Sequence, residues 1–468
     1  MKNRFLFLLT ILLANLLFAQ TENYKIAIDD FQINYNSGDY EKIFNNFSTE
    51  MKEALPLEST QQFFAGLKSQ MGAIESKEFI SYQETYAIYK TEFEKMTLAV
   101  NISLDDENRI DGLFIKFYEE PTKTTDKGVN VLHNYPKEIA EIIFSKTKEF
   151  PDNTQLSIAI IENGKTNYYG IIKVNDSIKP IENQAKVFEI GSLTKVFTST
   201  VLASLVEEGK IKLTDEINSY YSFPFKNQTR LNFKDLANHT SGLSRLPENL
   251  DLSNENNPYK NYGENQIEEY LKDNLSLENE ALKTYSYSNL GAGLLGYTLG
   301  LSQKTSFQEL VQKRIFDKYG MKNSFTSPQN LSKKLVKGQN IKGEITSNWD
   351  WDVLFGAGGI LSTTEDLTKF AIAQFDSKNK ELALTRKPTF ESSENMKIGL
   401  GWHLLQSPKN KNRIWHNGGT GGYSSSMLVN PENKSGVIIL SNLSGFHPKT
   451  GKIDELCFEL MNKIEGLE

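Results

Sequence analysis

The sequence has 468 residues, 38% hydrophobic and 24% charged, with a formal net charge of −7. That length accommodates a large domain and a smaller one, at about 150 residues per domain, and the composition is ordinary for a chain that buries a core. Acidic and basic residues are interspersed with no basic stripe, which argues against nucleic acid as a partner, and Cys457 as the single cysteine excludes an internal disulfide and zinc–thiolate chemistry.

The N-terminus comes first. Lys2 and Arg4 precede an apolar run from Phe5 to Phe18, and Ala19-Gln20-Thr21 opens a polar stretch. This charged, apolar, small-residue order predicts a signal peptide over residues 1–20 and an exported, periplasmic or extracellular protein. The run is shorter than the roughly 20 residues a span needs. No stable membrane span is therefore expected after signal removal, with a retained anchor as the alternative.

Residues 21–120 read as a small α+β domain. Tyr24, Ile28, Phe31 and Tyr35, then Tyr40, Ile43, Phe44 and Phe47, predict two amphipathic helices broken at Ser37-Gly38-Asp39. Phe63, Phe64 and Leu67 indicate a third. Strands are expected over Phe79–Ala87, Met96–Leu104 and Ile110–Tyr118, the last two flanking an Asp105–Asn108 turn. Helices followed by an antiparallel sheet resemble the cone-shaped domains of the nuclear-transport-factor-like superfamily. The domain holds no acid/base cluster, which favours a spacer or binding module.

A polar stretch from Pro121 to Gly128 marks a linker over 121–132, and the second domain occupies 133–468. It opens with a helix around Lys137–Phe150. A hairpin follows, Leu156–Ile161 and Tyr168–Val174 about the turn Asn163-Gly164.

The chemistry begins at Ser192. Val196, Phe197, Val201, Leu202 and Leu205 recur at helical spacing up to a C-cap at Gly209, so Ser192 sits at a helix N-terminus. Free backbone N–H groups there favour developing negative charge. Lys195 lies one turn on along the same face, where a buried amine can lose its proton and activate the hydroxyl. Ser-x-x-Lys recurs at Ser145/Lys148 and Ser377/Lys380, but neither opens an apolar helix after an extended segment. A helix cap is the bland reading of Ser192.

A second element, Tyr287-Ser288-Asn289, pairs a phenol that can shuttle a proton with an amide that can orient a lysine or substrate. Tyr259-Lys260-Asn261 matches the same pattern but sits in a loop with no apolar segment after it, and is set aside as chance. The third element is His416-Asn417-Gly418-Gly419, where glycines after a strand let backbone N–H groups approach a ligand.

In this order the three elements resemble the serine β-lactamases, penicillin-binding proteins and related esterases, from about His133 to the C-terminus. Phrases such as Asn238-His-Thr-Ser-Gly-Leu243, Gly356-Ala-Gly-Gly-Ile-Leu-Ser-Thr363 and Gly399-Leu-Gly-Trp402 add to the likeness. The resemblance implies an α/β/α sandwich with an antiparallel sheet and a helical subdomain, hence an α+β class overall. It implies Ser192 as acylated nucleophile, Lys195 and Tyr287 as proton carriers, and Asn289 holding Lys195 and contacting substrate. The N–H groups of Ser192 and Gly419 would form the oxyanion site. His416 and Gly418 complete the substrate-binding set. Relatives often carry Lys-Thr-Gly at the third element. Lys449-Thr450-Gly451 comes too late in the chain for that role, so His416 is the assignment.

No cofactor or metal is expected, since His133, His239, His403, His416 and His447 show no ligand spacing. His239 reads as a structural loop residue. The Gly-x-Ser-x-Gly elbow of the α/β-hydrolases does not occur. Histidine, ordinarily near pKa ~6.5, is mostly neutral at pH 7 and supplies no fixed charge for a substrate carboxylate. The expected substrate is therefore a small ester, amide or peptide, taken by an exported esterase or D-amino-acid peptidase. A β-lactamase or DD-carboxypeptidase acting on β-lactams or cell-wall peptides is the alternative, and a catalytically silent binding protein on the same scaffold is the third.

Overall fold

The computed structural model describes residues 22–83, 85–118, 128–254, 256–277, 284–331, 333–406 and 412–467. The expected signal peptide lies outside the described residues. The chain divides into two compact units, Met1–Thr125 and Asp126–Glu468.

In the first unit a helix over residues 22–37 presents Tyr24, Ile28, Phe31 and Tyr35 on one face, all buried. The chain breaks at Gly38, whose φ is +77°, and restarts at Tyr40–Asn45 with Asp39 accepting from the Lys42 N–H. A short helix Thr49–Ala54, capped by the Ser48 hydroxyl, precedes the helix Leu57–Met71. Four antiparallel strands follow in chain order, β1 Ile74–Gln83, β2 Tyr86–Phe93, β3 Thr97–Leu104 and β4 Ile110–Phe117. The helices and sheet close over Phe64, Phe93, Val100 and Ile102. Phe31 meets Phe64 edge to face at 5.5 Å, and Tyr35 meets Phe93 at 5.6 Å.

One expectation is corrected here. The single strand expected over Phe79–Ala87 is the junction of β1 and β2, which pair as a hairpin with Gln83 opposite Tyr86. No Gly, Pro or Asn marks that turn, and most of β1 faces solvent, so neither turn chemistry nor apolar alternation shows it.

The second unit has twelve strands among the described residues, ten of them in one sheet. In chain order they are β5 Val129–Asn130, β6 Gln155–Glu162, β7 Lys165–Val174 and β8 Ser177–Ile181, with β9 Phe188–Glu189 and β10 Leu361–Ser362 forming a separate pair. The sheet continues with β11 Phe390–Ser393, β12 Met396–Ile398, β13 His403–Leu405, β14 Ile414–Gly419, β15 Ser424–Asn430 and β16 Ser435–Ser441. Spatial order is β11-β12-β13-β14-β15-β16-β6-β7-β8-β5, antiparallel except for the β5/β8 edge pair. The expected Asn163-Gly164 turn joins β6 to β7, both residues at positive φ (51° and 77°) as a tight hairpin needs.

Two cores lie on opposite faces. Ile158, Ile160, Val437 and Ile439 point to the helices Lys137–Thr147 and Gly451–Ile464, while Ala159, Ile161, Ile438 and Leu440 point to the helical subdomain. Covering both faces explains why β6 and β16 are nearly continuous apolar runs. At the centre of the helical side lies Thr194–Glu207, whose residues from Thr194 to Leu205 are all buried.

Candidate active site

Strand β9 feeds a 3₁₀ turn, Gly191–Leu193, that runs straight into the helix Thr194–Glu207. Gly191 takes φ +52°, a conformation side chains disfavour, and the turn leaves Ser192 partly exposed between buried neighbours. Lys195, 2% exposed, brings Nζ to 3.1 Å from Ser192 Oγ, 2.8 Å from Asn289 Oδ1 and 2.8 Å from the Ala357 carbonyl.

Burial first, and the nearby Arg245 charge second, hold the Lys195 amine well below lysine's usual pKa. A neutral amine has two N–H donors and one lone pair. Asn289 Oδ1 and the Ala357 carbonyl accept the two N–H groups, which leaves the lone pair facing the Ser192 hydroxyl. The geometry is that of a base with its acceptor site turned toward one hydroxyl.

Tyr287 precedes the helix Asn289–Gln303, whose N-cap, Ser288, accepts from the Gly291 N–H at 2.8 Å. Lys195 Nζ lies 4.9 Å from the Tyr287 ring centre. Burial pushes the phenol above its ordinary range, opposed in part by the Ser192 hydroxyl, so Tyr287 stays protonated and is a donor. His239, at φ +60°, clamps this loop. Its Nδ1 accepts from the Ser288 N–H at 3.2 Å, its carbonyl from the Ser286 N–H at 2.9 Å, and its ring lies 4.5 Å from that of Tyr287. Burial keeps it neutral.

Two site residues escaped the reading of the sequence. Tyr259, set aside there as part of a chance match, is buried, stacks on Trp351 at 4.1 Å, and accepts from Asn289 Nδ2 at 3.1 Å. Its hydroxyl fixes which way the Asn289 amide points. Ala357 acts through its carbonyl, which no side-chain pattern reveals. The available signal was glycine: a Cβ on Gly296 would come within 3.0 Å of Gly356 Cα, and one on Gly293 within 2.6 Å of Leu354. Those glycines let the segment Asp352–Ala357 lie against the helix Asn289–Gln303 and deliver that carbonyl to Lys195.

Strand β14 forms the remaining wall. A Cβ on Gly418 would lie 2.2 Å from the Ile190 carbonyl and 2.7 Å from Ser192 N, and one on Gly191 would lie 2.7 Å from Gly419 N. Only glycine permits this approach of the strand to the serine turn. His416, 2% exposed, donates from Nδ1 to the Asn417 carbonyl at 2.6 Å and stacks on His403 at 5.2 Å. Its ring centre is 6.3 Å from that of Tyr287, and burial holds it well below histidine's usual pKa, hence neutral.

The fold thus gathers Ser192, Lys195, Tyr287, Asn289, Gly418 and Gly419, with His416 ring to ring beside Tyr287. Lys449 instead precedes the C-terminal helix and pairs with Glu149 at 3.1 Å, and the Ser145 hydroxyl donates to the Ile142 carbonyl within its own helix. Among the described residues no group of three His, Cys, Asp or Glu could hold a metal, and no helix is long and apolar enough to cross a membrane.

Comparison with known proteins bears on this geometry. The Beta-lactamase family model matches residues 146–458, and a model described as a protein of unknown function (DUF3887) matches residues 29–113. The chain is similar to the Beta-lactamase of Pseudomonas fluorescens, 26% identical over 267 residues, covering 55% of this chain and 71% of that protein. It is also similar to Protein flp of Staphylococcus aureus (strain MRSA252), 24% identical over 328 residues, 65% of this chain but only 62% of that longer protein. A solved class C beta-lactamase shares the fold, with a TM-score of 0.58 at 21% identity over 71% of this chain and 97% of that one. With a family model spanning two thirds of the sequence, the chain belongs to the β-lactamase family of serine hydrolases.

Proposed function

We propose that the chain hydrolyses an ester or amide through an acyl-enzyme on Ser192, as an esterase or D-amino-acid peptidase does. The observation that carries this reading is the buried Lys195 amine, held well below lysine's usual pKa, with Nζ 3.1 Å from the Ser192 hydroxyl and 2.8 Å from both Asn289 Oδ1 and the Ala357 carbonyl. Ser192 Oγ attacks the acyl carbon as its proton passes to Lys195. The developing oxyanion lies between the N–H groups of Ser192 and Gly419, donors of a kind whose removal typically costs ~10²–10³ in rate. The bond to the leaving group breaks as Tyr287 gives it a proton, and the Lys195 ammonium restores the phenol. Water repeats the sequence on the acyl-enzyme, releasing the acid and regenerating Ser192.

Asn289 holds Lys195 and contacts the substrate; Gly418 keeps β14 close, and His416 lines the pocket as a neutral ring. That neutrality favours the esterase or peptidase over an enzyme relying on a cation at the third element. A β-lactamase or DD-carboxypeptidase is the second reading, favoured by the likeness to proteins named Beta-lactamase. Residues 1–20 we assign as an export signal, on the order of Lys2, Arg4 and the apolar run Phe5–Phe18.

The test is a substrate panel on the wild type and Ser192→Ala. Turnover of p-nitrophenyl butyrate that disappears in Ser192→Ala is expected. Nitrocefin turnover with no ester turnover moves the substrate to the second reading.

A further inference from the structure

We propose that a cleft beside the end of strands β13 and β14, separate from Ser192, binds a monocarboxylate with an apolar chain, and that Arg386 receives the carboxylate. The inference concerns residues the hydrolase reading does not use, and it stands or falls apart from that reading.

The cleft has a volume of about 380 Å³, within the ~300–1,000 Å³ typical of small-molecule pockets. Phe375, Pro388, Leu404, Ile414 and Pro431 give it an apolar lining, and Arg386 opens into the same space. Leu404 pairs with Ile414, and Ile414 shares a face of β14 with His416 two residues on. The cleft therefore adjoins the catalytic wall, yet none of its lining residues belongs to the site around Ser192.

Arg386 follows the helix Lys380–Thr385, and its Nη1 donates to the Gln374 carbonyl at 2.9 Å and to Gln374 Oε1 at 2.6 Å. Those bonds cap the end of the helix Thr364–Ala373 and occupy one nitrogen. Nε and Nη2, the guanidinium edge that matches both oxygens of a carboxylate, have no partner among the described residues. Burial lowers Arg386 from its ordinary pKa with no carboxylate to offset it, and a guanidinium stays charged at neutral pH all the same. The other charges at the cleft are committed. Arg413 Nη2 pairs with Glu465 at 2.7 Å, and Glu432 accepts from Asn412 Nδ2 at 2.6 Å. Gln374, 1% exposed, also leaves its Nε2 unpartnered, so donors exceed acceptors at this end of the cleft. A partly desolvated cation with its carboxylate-shaped edge unfilled, among apolar walls, is complementary to an amphipathic carboxylate.

The experiment uses the full chain and a photoreactive fatty acid, octanoic acid with a diazirine at carbon 7, its adducts located by mass spectrometry after digestion. Adducts are expected on the peptides that contain Phe375 or Leu404. Octanoate should compete at about tenfold lower concentration than octan-1-ol, the gain of a charge-assisted bond to the carboxylate. Arg386→Gln should remove that difference, and Arg386→Lys should keep part of it. Arg386→Gln also disturbs the bonds to Gln374, so a second variant leaves the arginine in place. Ser377→Phe, at an exposed position lining the cleft, should fill it and abolish the adducts while thermal unfolding stays unchanged. Several results overturn the assignment: adducts confined to peptides containing Ser192, Tyr287 or His416, or no saturable adduct at all. Equal competition by octanoate and octan-1-ol in the wild type does so too. So does a carboxylate preference that survives in Arg386→Gln, or adducts that persist in a folded Ser377→Phe protein.

Discussion

Gly418→Ala puts the wall of the site under a defined strain. The new methyl would sit 2.2 Å from the Ile190 carbonyl oxygen, against a closest approach of about 3.0 Å for real Cβ atoms, so something must yield by about 0.8 Å. Ile190 is the fixed partner. Its carbonyl accepts the Ser425 hydroxyl at 2.8 Å, and its N–H donates to the Ile360 carbonyl at 3.1 Å. The displacement therefore falls on β14 and carries Gly419 N away from the serine turn. A misplacement on the order of 1 Å costs ~10²-fold in rate, about 2.7 kcal/mol of transition-state stabilisation. Overpacking also costs about 1–3 kcal/mol of stability, so thermal unfolding must be followed alongside activity. Gly451→Ala is the control, since nothing lies within 4 Å of a Cβ there. The assay is the second-order rate of Ser192 labelling by a neutral fluorophosphonate at a temperature where all three proteins are folded. We expect labelling about 10²-fold slower in Gly418→Ala and unchanged in Gly451→Ala. A folded Gly418→Ala protein that labels at the wild-type rate refutes the idea that this strand positions the reacting acyl group.

Tyr259→Phe strips Asn289 Nδ2 of its acceptor inside a buried network, which should cost about 1–3 kcal/mol in urea unfolding. If Tyr259 positions Asn289 for Lys195, the pH midpoint of Ser192 labelling also moves further below the ordinary lysine range, since the Asn289 carbonyl is an acceptor that favours the ammonium. An unmoved midpoint makes Tyr259 merely structural. Lys195 accepts a proton only when neutral, so labelling should rise with pH through its depressed pKa, with the midpoint below lysine's usual 10.5. His416 is already neutral across that range, so His416→Gln should leave the midpoint in place; loss of the titration in that variant would put the base on His416.

The residues we assign as nucleophile and proton carriers were legible because each is tied to a local signal. Ser192 and Lys195 share one helical turn at the head of an apolar segment, and Tyr287 and Asn289 straddle the N-cap of a second. The strands β6 and β7 were equally plain, being apolar runs about an Asn-Gly turn. What stayed hidden works through space or through the backbone. Tyr259 sits in a loop with no periodicity, and its meaning comes only when the helix Asn289–Gln303 packs beside it. Ala357 contributes an atom that every residue possesses. In the N-terminal unit the β1–β2 hairpin was missed because its turn uses none of the residues that ordinarily mark one.

The most direct measurement is mass spectrometry of the intact and digested protein after exposure to a fluorophosphonate, for the wild type and Ser192→Ala. A single adduct on the peptide containing Ser192, absent from the variant, is the predicted result. An adduct on another serine, or equal labelling of both proteins, would contradict the assignment of this hydroxyl as the nucleophile.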